Sequence, residues 1–457
     1  MSQKSPSSEF SKPTKPTHPK KSANKTIKTP LEIFAEIAHI PHMSFHTQDL
    51  FAYICEFAQS CGYEVRTDTA QNIHAKTSVP PRLCFQSHYD MVGVGQADKP
   101  LELFRENGFL RAKNSSLGAD NGIGVALQLY LMQKASDLEF LFTNNEEVGL
   151  LGAKGLELPI DSERIINLDS ETFGEIVLGC AGGYDMRIVL ELPRDERSYD
   201  FTYRITSRGF RGGHSGIDIH KGIKNAIVRL AEFISGITGG ICAFEGGEKI
   251  NSIPVHSCAI IKTNAIIESC EDFLVEKIQT KAPVYAKEPL MAFILGAKNG
   301  VRALNGQDVI DSLNISLVKL TSSKVCIDLM GRANTKDLLE KNLADLEALT
   351  KQINPNARIQ IDDFYPPWER NISGDDDFLA SVKKAFGDYP ITLCEIHAGL
   401  ECGILQARLE NMGKKNLKIL SIGPTILSPH SLDERLDLPA FEKFFGVLES
   451  LIENYRI

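Results

Sequence analysis

Short apolar segments of two kinds alternate in the first third of the chain. In one kind apolar residues recur at the spacing of a helix, and in the other they form compact runs typical of buried strands. A strand, a helix and a strand in that order predict an α/β domain with a mostly parallel central sheet. The predicted helices are 31–38, 49–61 and 124–132, and the predicted strands are 83–86, 138–143 and 164–168.

The pattern changes after about residue 185 and returns after about Pro366. Between these points alternating strands predominate, and two strand–helix–strand passages indicate an α+β domain with a possible internal duplication. The α/β pattern then resumes, so the second domain is predicted to be an insertion into the first. The expected boundaries are a leader over 1–29, the first domain over 30–185 and 368–457, and the inserted domain over 186–367. Its predicted strands are 203–207, 257–263, 312–319 and 324–330, and its predicted helices are 225–237 and 336–353, while 377–386 and 417–422 are the helix and strand that follow.

Composition narrows the class of protein. Of 457 residues 42% are hydrophobic and 24% charged, and the net charge is −9, which is typical of a soluble enzyme and not of a nucleic-acid-binding protein. No apolar run reaches the roughly 18 to 20 residues that cross a membrane. The ten cysteines show neither C-x-x-C nor zinc-finger spacing, so reduced thiols and a cytoplasmic location are expected. The basic, proline-containing leader lacks the apolar core of a secretory signal and predicts a disordered tail.

Polar residues follow three of the predicted strands at the points where the strands end. The three segments are His88-Tyr89-Asp90, Asn144-Asn145-Glu146-Glu147 and Asp169-Ser170-Glu171. In open α/β sheets ligands bind at the carboxyl ends of the strands. Histidine and carboxylate side chains are ligands of catalytic zinc. Three such strand ends in succession favour a metal site over three solvated loops.

Taken singly, these residues keep simpler interpretations. His88 alone is as readily a hydrogen-bonded loop histidine, although Asp90 lies on the same strand face and could fix its metal-binding tautomer. Asp120 precedes an apolar helix and could be its N-cap, or it could bridge two cations. Glu146 and Glu147 repel each other unless a positive charge neutralises them, which favours one as ligand and the other as general base.

Seven motifs occur in order along the chain. They are Ser87-His88-Tyr89-Asp90-Met91-Val92, Leu117 to Gly124, Asn144 to Gly149, Asn167 to Glu171, Arg211 to Gly216, His397 to Gly403, and Ser421 to Thr425 with His430-Ser431. Together they resemble the aminoacyl-histidine dipeptidase (peptidase D) family, from about residue 30 to the C-terminus. The resemblance implies a zinc-peptidase catalytic domain over 30–185 and 368–457, interrupted by a lid domain over 186–367.

The same resemblance implies a ligand set for two Zn²⁺ ions. Asp120 would bridge both ions. His88 and Asp169 would complete one metal site, and Glu147 and His430 the other. Oxygen and nitrogen ligands of this kind also accept Co²⁺ or Mn²⁺.

Three further residues take catalytic roles by resemblance. Asp90 would orient the metal ligand His88. Glu146 would be the general base for a metal-activated water that hydrolyses a dipeptide, of the Xaa-His type with broad specificity. His214, from the lid, would stabilise the tetrahedral oxyanion. The family pattern also implies a cis peptide bond after Asp120.

Recognition of the substrate is the least defined part of the prediction. Asn251 matches a lid asparagine that contacts substrate, and His397 and Glu401 are expected to line the pocket. The family often has an arginine just after the position of Pro254, where this chain has Val255 and His256. Arg332 or His256 is therefore the candidate for binding the substrate carboxylate.

Two other functions compete with the dipeptidase hypothesis. A related zinc amidohydrolase, deacylase or tripeptidase would use the same metal cluster and differ in the lid pocket. A non-catalytic binding protein on the same scaffold is disfavoured because all five ligands and the base are present. No nucleic-acid or membrane partner is expected. A lid that completes a neighbour's site would make the protein a homodimer.

Overall fold

The computed structural model describes residues 27–455. Residues 1–26 of the predicted leader therefore lie outside the described residues. The helices are α1 (Pro30–Ala38), α2 (Gln48–Ser60), α3 (Ala119–Met132), α4 (Leu151–Lys154), α5 (Ala226–Ser235), α6 (Glu288–Gly296), α7 (Lys336–Ile353), α8 (Asp377–Phe386), α9 (Glu401–Asn411) and α10 (Leu438–Asn454), with a 3₁₀-helix at Ile219–Lys221. The strands are β1 (Glu64–Thr67), β2 (Ile73–Lys76), β3 (Leu83–His88), β4 (Leu103–Glu106), β5 (Phe109–Ala112), β6 (Leu138–Thr143), β7 (Arg164–Asn167), β8 (Glu175–Cys180), β9 (Gly182–Glu191), β10 (Phe201–Ser207), β11 (Gly239–Gly246), β12 (Ser257–Thr263), β13 (Phe273–Lys277), β14 (Gly300–Asn305), β15 (Asp308–Thr321), β16 (Lys324–Ala333), β17 (Arg358–Tyr365), β18 (Thr392–Ile396), β19 (Lys418–Ser421), β20 (Ile426–Leu427) and β21 (Arg435–Asp437).

The first sheet has eight strands in the order β1-β2-β6-β3-β7-β19-β8-β18. Its centre is parallel, because β3 pairs in parallel with β6 and β7, and β7 pairs in parallel with β19. Antiparallel pairs join β2 to β1 and β6, and β19 to β8. Since β18 and β19 follow residue 390, the last part of the chain completes a sheet that the first part begins.

Helices cover both faces of this sheet. Phe85 and Phe140 point to the core shared with α1, α3, α8 and α10, whereas Cys84 and Leu141 point to the core shared with α4 and α9. Successive residues of a strand point to opposite faces, so a strand covered on both sides reads as a continuous apolar run. This double burial explains why the central strands were detectable in the sequence as compact apolar segments.

The second sheet has nine strands, all between Gly182 and Tyr365, and every neighbouring pair is antiparallel. The strand order is β13-β10-β12-β11-β15-β16-β9-β17, with β14 also paired to β15. Helices α5, α6 and α7 contribute to one core with it. Along β12 buried and half-buried residues alternate, as expected of an antiparallel sheet with one covered face.

A small sheet of the order β20-β21-β5-β4 connects two distant parts of the chain. In it Leu436 pairs with Leu110. This pairing connects the loop 428–434, between β20 and β21, to the hairpin of β4 and β5 that precedes α3. The loop carries His430, so the small sheet positions one of the expected metal ligands.

The expected fold class is confirmed. The predicted segments 138–143, 257–263, 336–353 and 377–386 coincide with β6, β12, α7 and α8. Helix α3 begins at Ala119, five residues before its expected start, because its first turn consists of small and polar residues that carry no apolar periodicity. Among residues 27–455 there is no helix with the length and apolar character needed to span a bilayer.

Candidate metal centre and active-site cavity

Three neighbouring parallel strands bring the expected ligands to one edge of the first sheet. His88 is the last residue of β3, Glu146 and Glu147 follow β6, and Asp169 follows β7. Strand β3 lies between the other two, and His88 is in register with Thr143 at the end of β6. The side chains that follow these strands therefore meet at the carboxyl edge of the sheet.

Asp120 lies between two histidines. Its Oδ1 is 3.2 Å from Nε2 of His88, and its Oδ2 is 3.0 Å from Nε2 of His430. Nε2 of His88 is also 3.3 Å from Oδ1 of Asp169, and Nε2 of His430 is 3.0 Å from Oε2 of Glu147. The peptide bond after Asp120 is cis, as the resemblance implies. One carboxylate is thus shared by two separate histidine–carboxylate pairs.

The geometry defines groups of atoms that fit metal ions. His88, Asp120 and Asp169 offer ligand atoms within 4.8 Å of one another, and Asp120, Glu147 and His430 do the same. Glu146 joins His88 and Glu147 in a third such group. Imidazole nitrogen and carboxylate oxygen are ligands of zinc and of similar divalent ions.

The electrostatics of the cluster also call for positive charge. Burial, reinforced by Asp120, raises the pKa of Glu147 to about 7. Although burial opposes it, hydrogen bonds to Asp120 and Glu147 raise the pKa of His430 to about 12. Oε1 of Glu147 is buried and has no hydrogen-bond partner within residues 27–455. Buried carboxylates in this arrangement are stabilised by a cation, so the donor set fits divalent metal.

Asp90 contacts the loop after β6 in addition to His88, the ligand that it is expected to orient. Nδ1 of His88 is 3.0 Å from the backbone oxygen of Asp90 and 3.6 Å from its carboxylate. The carboxylate accepts the backbone N–H of Glu146 at 2.9 Å and of Glu147 at 3.3 Å, together with the hydroxyl of Ser44 at 2.8 Å. The main hydrogen bonds of the Asp90 side chain therefore hold the loop that carries Glu146 and Glu147.

A cavity of about 1040 Å³ lies in front of the ligand groups. Glu146 lines it, and burial, reinforced by the charge of Glu147, raises the pKa of Glu146 well above its usual range. The opposite wall comes from the second sheet and its loops, and includes His214, Asn251 and Arg332. The cavity is thus enclosed by both large sheets.

His214 is held as a hydrogen-bond donor to the cavity. Its Nδ1 accepts the backbone N–H groups of Gly216 and Ile217, at 3.2 and 3.0 Å. Burial, reinforced by the charge of Arg332, lowers the pKa of His214 to about 4. A neutral ring whose Nδ1 is an acceptor carries its proton on Nε2. His214 can therefore offer an uncharged N–H to a developing negative charge.

Arg332 is a buried cation on the cavity wall. Its Nη1 donates to the hydroxyl of Tyr365 at 2.7 Å, its Nη2 lies 3.1 Å from Sδ of Met330, and its Nε has no partner in the described part of the chain. Within that part it forms no ion pair with a carboxylate, although it lines the cavity. A buried guanidinium of this kind is suited to binding a carboxylate of a ligand.

Comparison with known proteins decides the family. The cytosol non-specific dipeptidase of Escherichia coli K12 is 30% identical over 478 aligned positions, which cover 93% of this chain and 96% of that protein. The chain belongs to the cytosol non-specific dipeptidase family. Peptidase family M28 matches residues 67–172. The aminoacylhistidine dipeptidase of Vibrio alginolyticus has a similar structure, with a TM-score of 0.77 and 27% identity over 95% of this chain and 99% of that one.

A more distant structure supports the fold alone. A tripeptidase from Staphylococcus aureus superposes with a TM-score of 0.56 at 16% identity, over 93% of this chain and 97% of its own. Membership of the dipeptidase family confirms the resemblance seen in the motifs. The expectation of a hydrolase of the metallodipeptidase class is confirmed with it.

Two expectations about the pocket of this family member differ from the structure. Glu401 does not line the cavity: it is fully buried, and its Oε2 accepts hydrogen bonds from Gln86 and Thr143, each at 2.6 Å. It lies under the sheet because it begins α9, which packs against the opposite face from α3. His256 is exposed, pairs with Glu248 at 2.7 Å, and is not part of the cavity wall.

His397 does line the cavity, where it connects the end of β18 in the first sheet to residues of the second sheet and its loops. It follows β18, and its Nε2 is 2.7 Å from the hydroxyl of Ser312 while its Nδ1 is 3.0 Å from Oδ1 of Asn334. Since an amide oxygen only accepts, Nδ1 carries the ring proton. Burial and the charge of Arg332 lower the pKa of His397 to about 3, so the ring is neutral.

Two carboxylates near the centre were missed by sequence reasoning. Glu171 lines the cavity, and burial, reinforced by Asp120, raises its pKa to about 9. Its position two residues after Asp169 was the available signal, because alternate residues at a strand end can face the same way. Glu434 is buried beside Asp120, and in the sequence it is one of several polar residues in a loop with no periodic signal.

Proposed function

We propose that this enzyme hydrolyses dipeptides, including those of the Xaa-His type, at a centre of two divalent metal ions, with Glu146 as the general base. The observation that carries the proposal is the Asp120 carboxylate, which presents one oxygen to each of two histidine–carboxylate pairs. The cavity beside it also contains a buried arginine that forms no ion pair within residues 27–455. The metal cluster accounts for hydrolysis, and the arginine accounts for a substrate with a nearby free carboxylate.

Five residues would hold the ions. His88 and Asp169 would hold one, Glu147 and His430 the other, and Asp120 would be shared. When bound, zinc, or cobalt or manganese in its place, supplies Lewis acidity that polarises a carbonyl and makes a water more acidic. The two ligand groups support two ions rather than one, because each group has a histidine and a carboxylate that the other group lacks.

Glu146 would move the proton. It lines the cavity, and its carboxylate lies within 4.8 Å of ligand atoms of His88 and Glu147, so it reaches the same space as the ligands. It would accept a proton from the attacking water and deliver it to the leaving amine. The hydrogen bond from its backbone N–H to Asp90 holds the loop that carries Glu146.

Lid residues would bind and orient the substrate. The Nε2–H of His214 would donate to the oxyanion that forms at the scissile carbonyl. The guanidinium of Arg332 would bind the substrate's C-terminal carboxylate. Asn251, from the lid, and His397, which follows β18 of the first sheet, line the same cavity and would contact the peptide between these points. The protein would act in the cytoplasm, as the name of its Escherichia coli relative states for that enzyme.

The test is metal analysis of the purified protein combined with a panel of substrates. The panel contains β-alanyl-histidine, Cys-Gly, a tripeptide and an N-acetyl amino acid. We expect about two divalent ions per chain and turnover of dipeptides above that of the other two classes. Rapid deacylation without dipeptide turnover would contradict the assignment, and tripeptides as the preferred substrates would move it to a tripeptidase.

A further inference from the structure

Glu434 is a buried carboxylate, 3% exposed, in the loop between β20 and β21. Its Oε2 accepts the backbone N–H of Leu117 at 2.8 Å and of Gly118 at 3.0 Å. Its Oε1 accepts that of Ala119 at 2.8 Å and lies 3.4 Å from that of Asp120. A single side chain thus binds four successive backbone N–H groups, the last of which belongs to the residue that faces both histidines.

Two of these N–H groups belong to Ala119 and Asp120, the first residues of α3, and the other two belong to the residues that directly precede the helix. Backbone donors at a helix start have no partner within the helix. The N-cap residue is Gly118, which has no side chain to accept them. The acceptor instead comes from a segment more than 300 residues further along the chain. A local cap would have stabilised the helix equally well, so helix stability alone does not explain an acceptor from that segment.

The segment that carries Glu434 also carries His430, four residues earlier. We propose that Glu434 is a positioning residue of the metal centre, which fixes the backbone of Asp120 relative to His430 before the metal binds. The inference rests on the metal centre proposed above. A carboxylate bound to several N–H groups at a helix start is stabilised by charge-assisted hydrogen bonds and by the helix dipole.

The other loop of the centre is held in the same way. The Asp90 carboxylate accepts hydrogen bonds from the backbone N–H groups of Glu146 and Glu147. Asp90 itself lies two residues after His88, the last residue of β3. Ligands on a strand end are placed by the sheet, whereas ligands on loops need such a connection. Glu434 supplies such a connection between Asp120 and His430, the two expected ligands that do not lie at a strand end.

The variant Glu434→Gln tests the proposal. A glutamine has one acceptor oxygen and turns an NH₂ donor towards two of the four N–H groups. We expect the Zn²⁺ affinity of the metal-free full-length protein to fall about 10- to 100-fold, the usual effect of losing a partner just behind the ligands. Zn²⁺ alone is titrated by calorimetry. At saturating Zn²⁺ the KM for a dipeptide should be unchanged, because Arg332 lies on the other wall.

Glu139 provides a matched control. It is fully buried, accepts the backbone N–H groups of Asp161 and Ser162 at 2.8 Å each, and pairs with His74, but it lies at the opposite end of β6 from the ligands. Glu139→Gln should lower the Tm and leave the Zn²⁺ affinity at the wild-type value. If Glu434→Gln lowers the Tm but binds Zn²⁺ like wild type, the residue is only structural and the proposal is wrong.

Two further measurements cover other outcomes. If Glu434→Gln does not fold, Glu434→Asp keeps the charge but is one methylene shorter, and the same loss of Zn²⁺ affinity is expected; an unchanged affinity overturns the proposal. Hydrogen exchange of metal-free wild type should show protected amides at Leu117, Gly118 and Ala119, and exchange at the rate of an open loop overturns it independently of any variant. Wild-type protein that binds no Zn²⁺ would instead refute the metal centre itself.

Discussion

The two walls of the cavity are built on different principles. On the wall of the eight-stranded sheet, ligand atoms from several segments lie within 4.8 Å of one another, and their charges strongly influence each other's pKa values. On the wall of the nine-stranded sheet, His214, Asn251 and Arg332 stand on separate elements and contribute one neutral donor, one amide and one cation.

The difference separates chemistry from recognition. A crowded cluster of carboxylates and histidines is stabilised by a bound cation, so we expect this wall to determine the reaction type. Single polar groups on the facing wall leave space between them, so we expect them to determine which substrate fits. If the proposed function is right, the negative charge on one wall and Arg332 on the other would orient a peptide with its carboxylate towards Arg332.

Metal removal is expected to have the largest effect, because it acts on the whole first wall. Dialysis against a strong chelator should abolish dipeptide hydrolysis, and Zn²⁺, Co²⁺ or Mn²⁺ should restore it. The Tm should fall as well, since an ion that binds only the folded state stabilises it. Far-UV circular dichroism of the metal-free protein serves as the control for folding. Activity that persists in protein shown to be free of metal would contradict the proposed centre.

The neighbours Glu146 and Glu147 allow the first wall to be divided into base and ligand. Glu146→Gln should lower kcat by about 10²- to 10⁴-fold, the usual contribution of a general base, with metal content as in wild type. Glu147→Gln should lose bound metal, because its carboxylate is the partner of His430 at 3.0 Å. Metal content is measured by mass spectrometry on dialysed protein. Loss of metal in the first variant, or full activity in it, would remove Glu146 from the role of base.

The first wall could be predicted from sequence to a large extent for physical reasons. Its strands are buried on both faces, so they appear as apolar runs, and His88, Glu147 and Asp169 lie at the ends of those strands or within four residues of them. A parallel sheet then brings the ends together without any knowledge of side-chain packing. Asp120 needed the resemblance to a known family, because capping of α3 explains it equally well in the sequence.

The rest depends on contacts between distant segments. The pairing of β21 with β5 joins residues more than 300 positions apart, and strands of two to four residues leave no readable pattern. The hydrogen bonds from the backbone of residues 117–120 to Glu434 depend on that pairing, so the sequence does not reveal them either. Glu401 was expected in the pocket because it follows His397 in one motif, but the first turn of α9 directs it into the core under the sheet.

His214 tests whether the second wall takes part in the reaction at all. Replacing it with alanine removes an uncharged donor to the oxyanion and should lower kcat by about 10²- to 10³-fold. Metal content should stay at the wild-type value, because none of the ligand groups found within residues 27–455 includes His214. His256→Ala is the control, since that histidine is exposed and outside the cavity. Equal kcat values for the two variants would show that His214 takes no part in the reaction.

Arg332 tests recognition, where the smallest effect on the reaction itself is expected. Arg332→Lys keeps the charge but loses the planar fork that binds a carboxylate through two parallel bonds. Losing a charge-assisted hydrogen bond costs about 1.5–3 kcal/mol, so KM for a dipeptide should rise about 10- to 100-fold, with a smaller change in kcat. A dipeptide amide, which has no C-terminal carboxylate, supplies the matched comparison. Wild type should discriminate against the amide by a similar factor, and Arg332→Lys should discriminate much less, because the two changes remove one interaction. If the variant still prefers the free acid as strongly as wild type does, another group binds the carboxylate and the second wall orients its substrate differently.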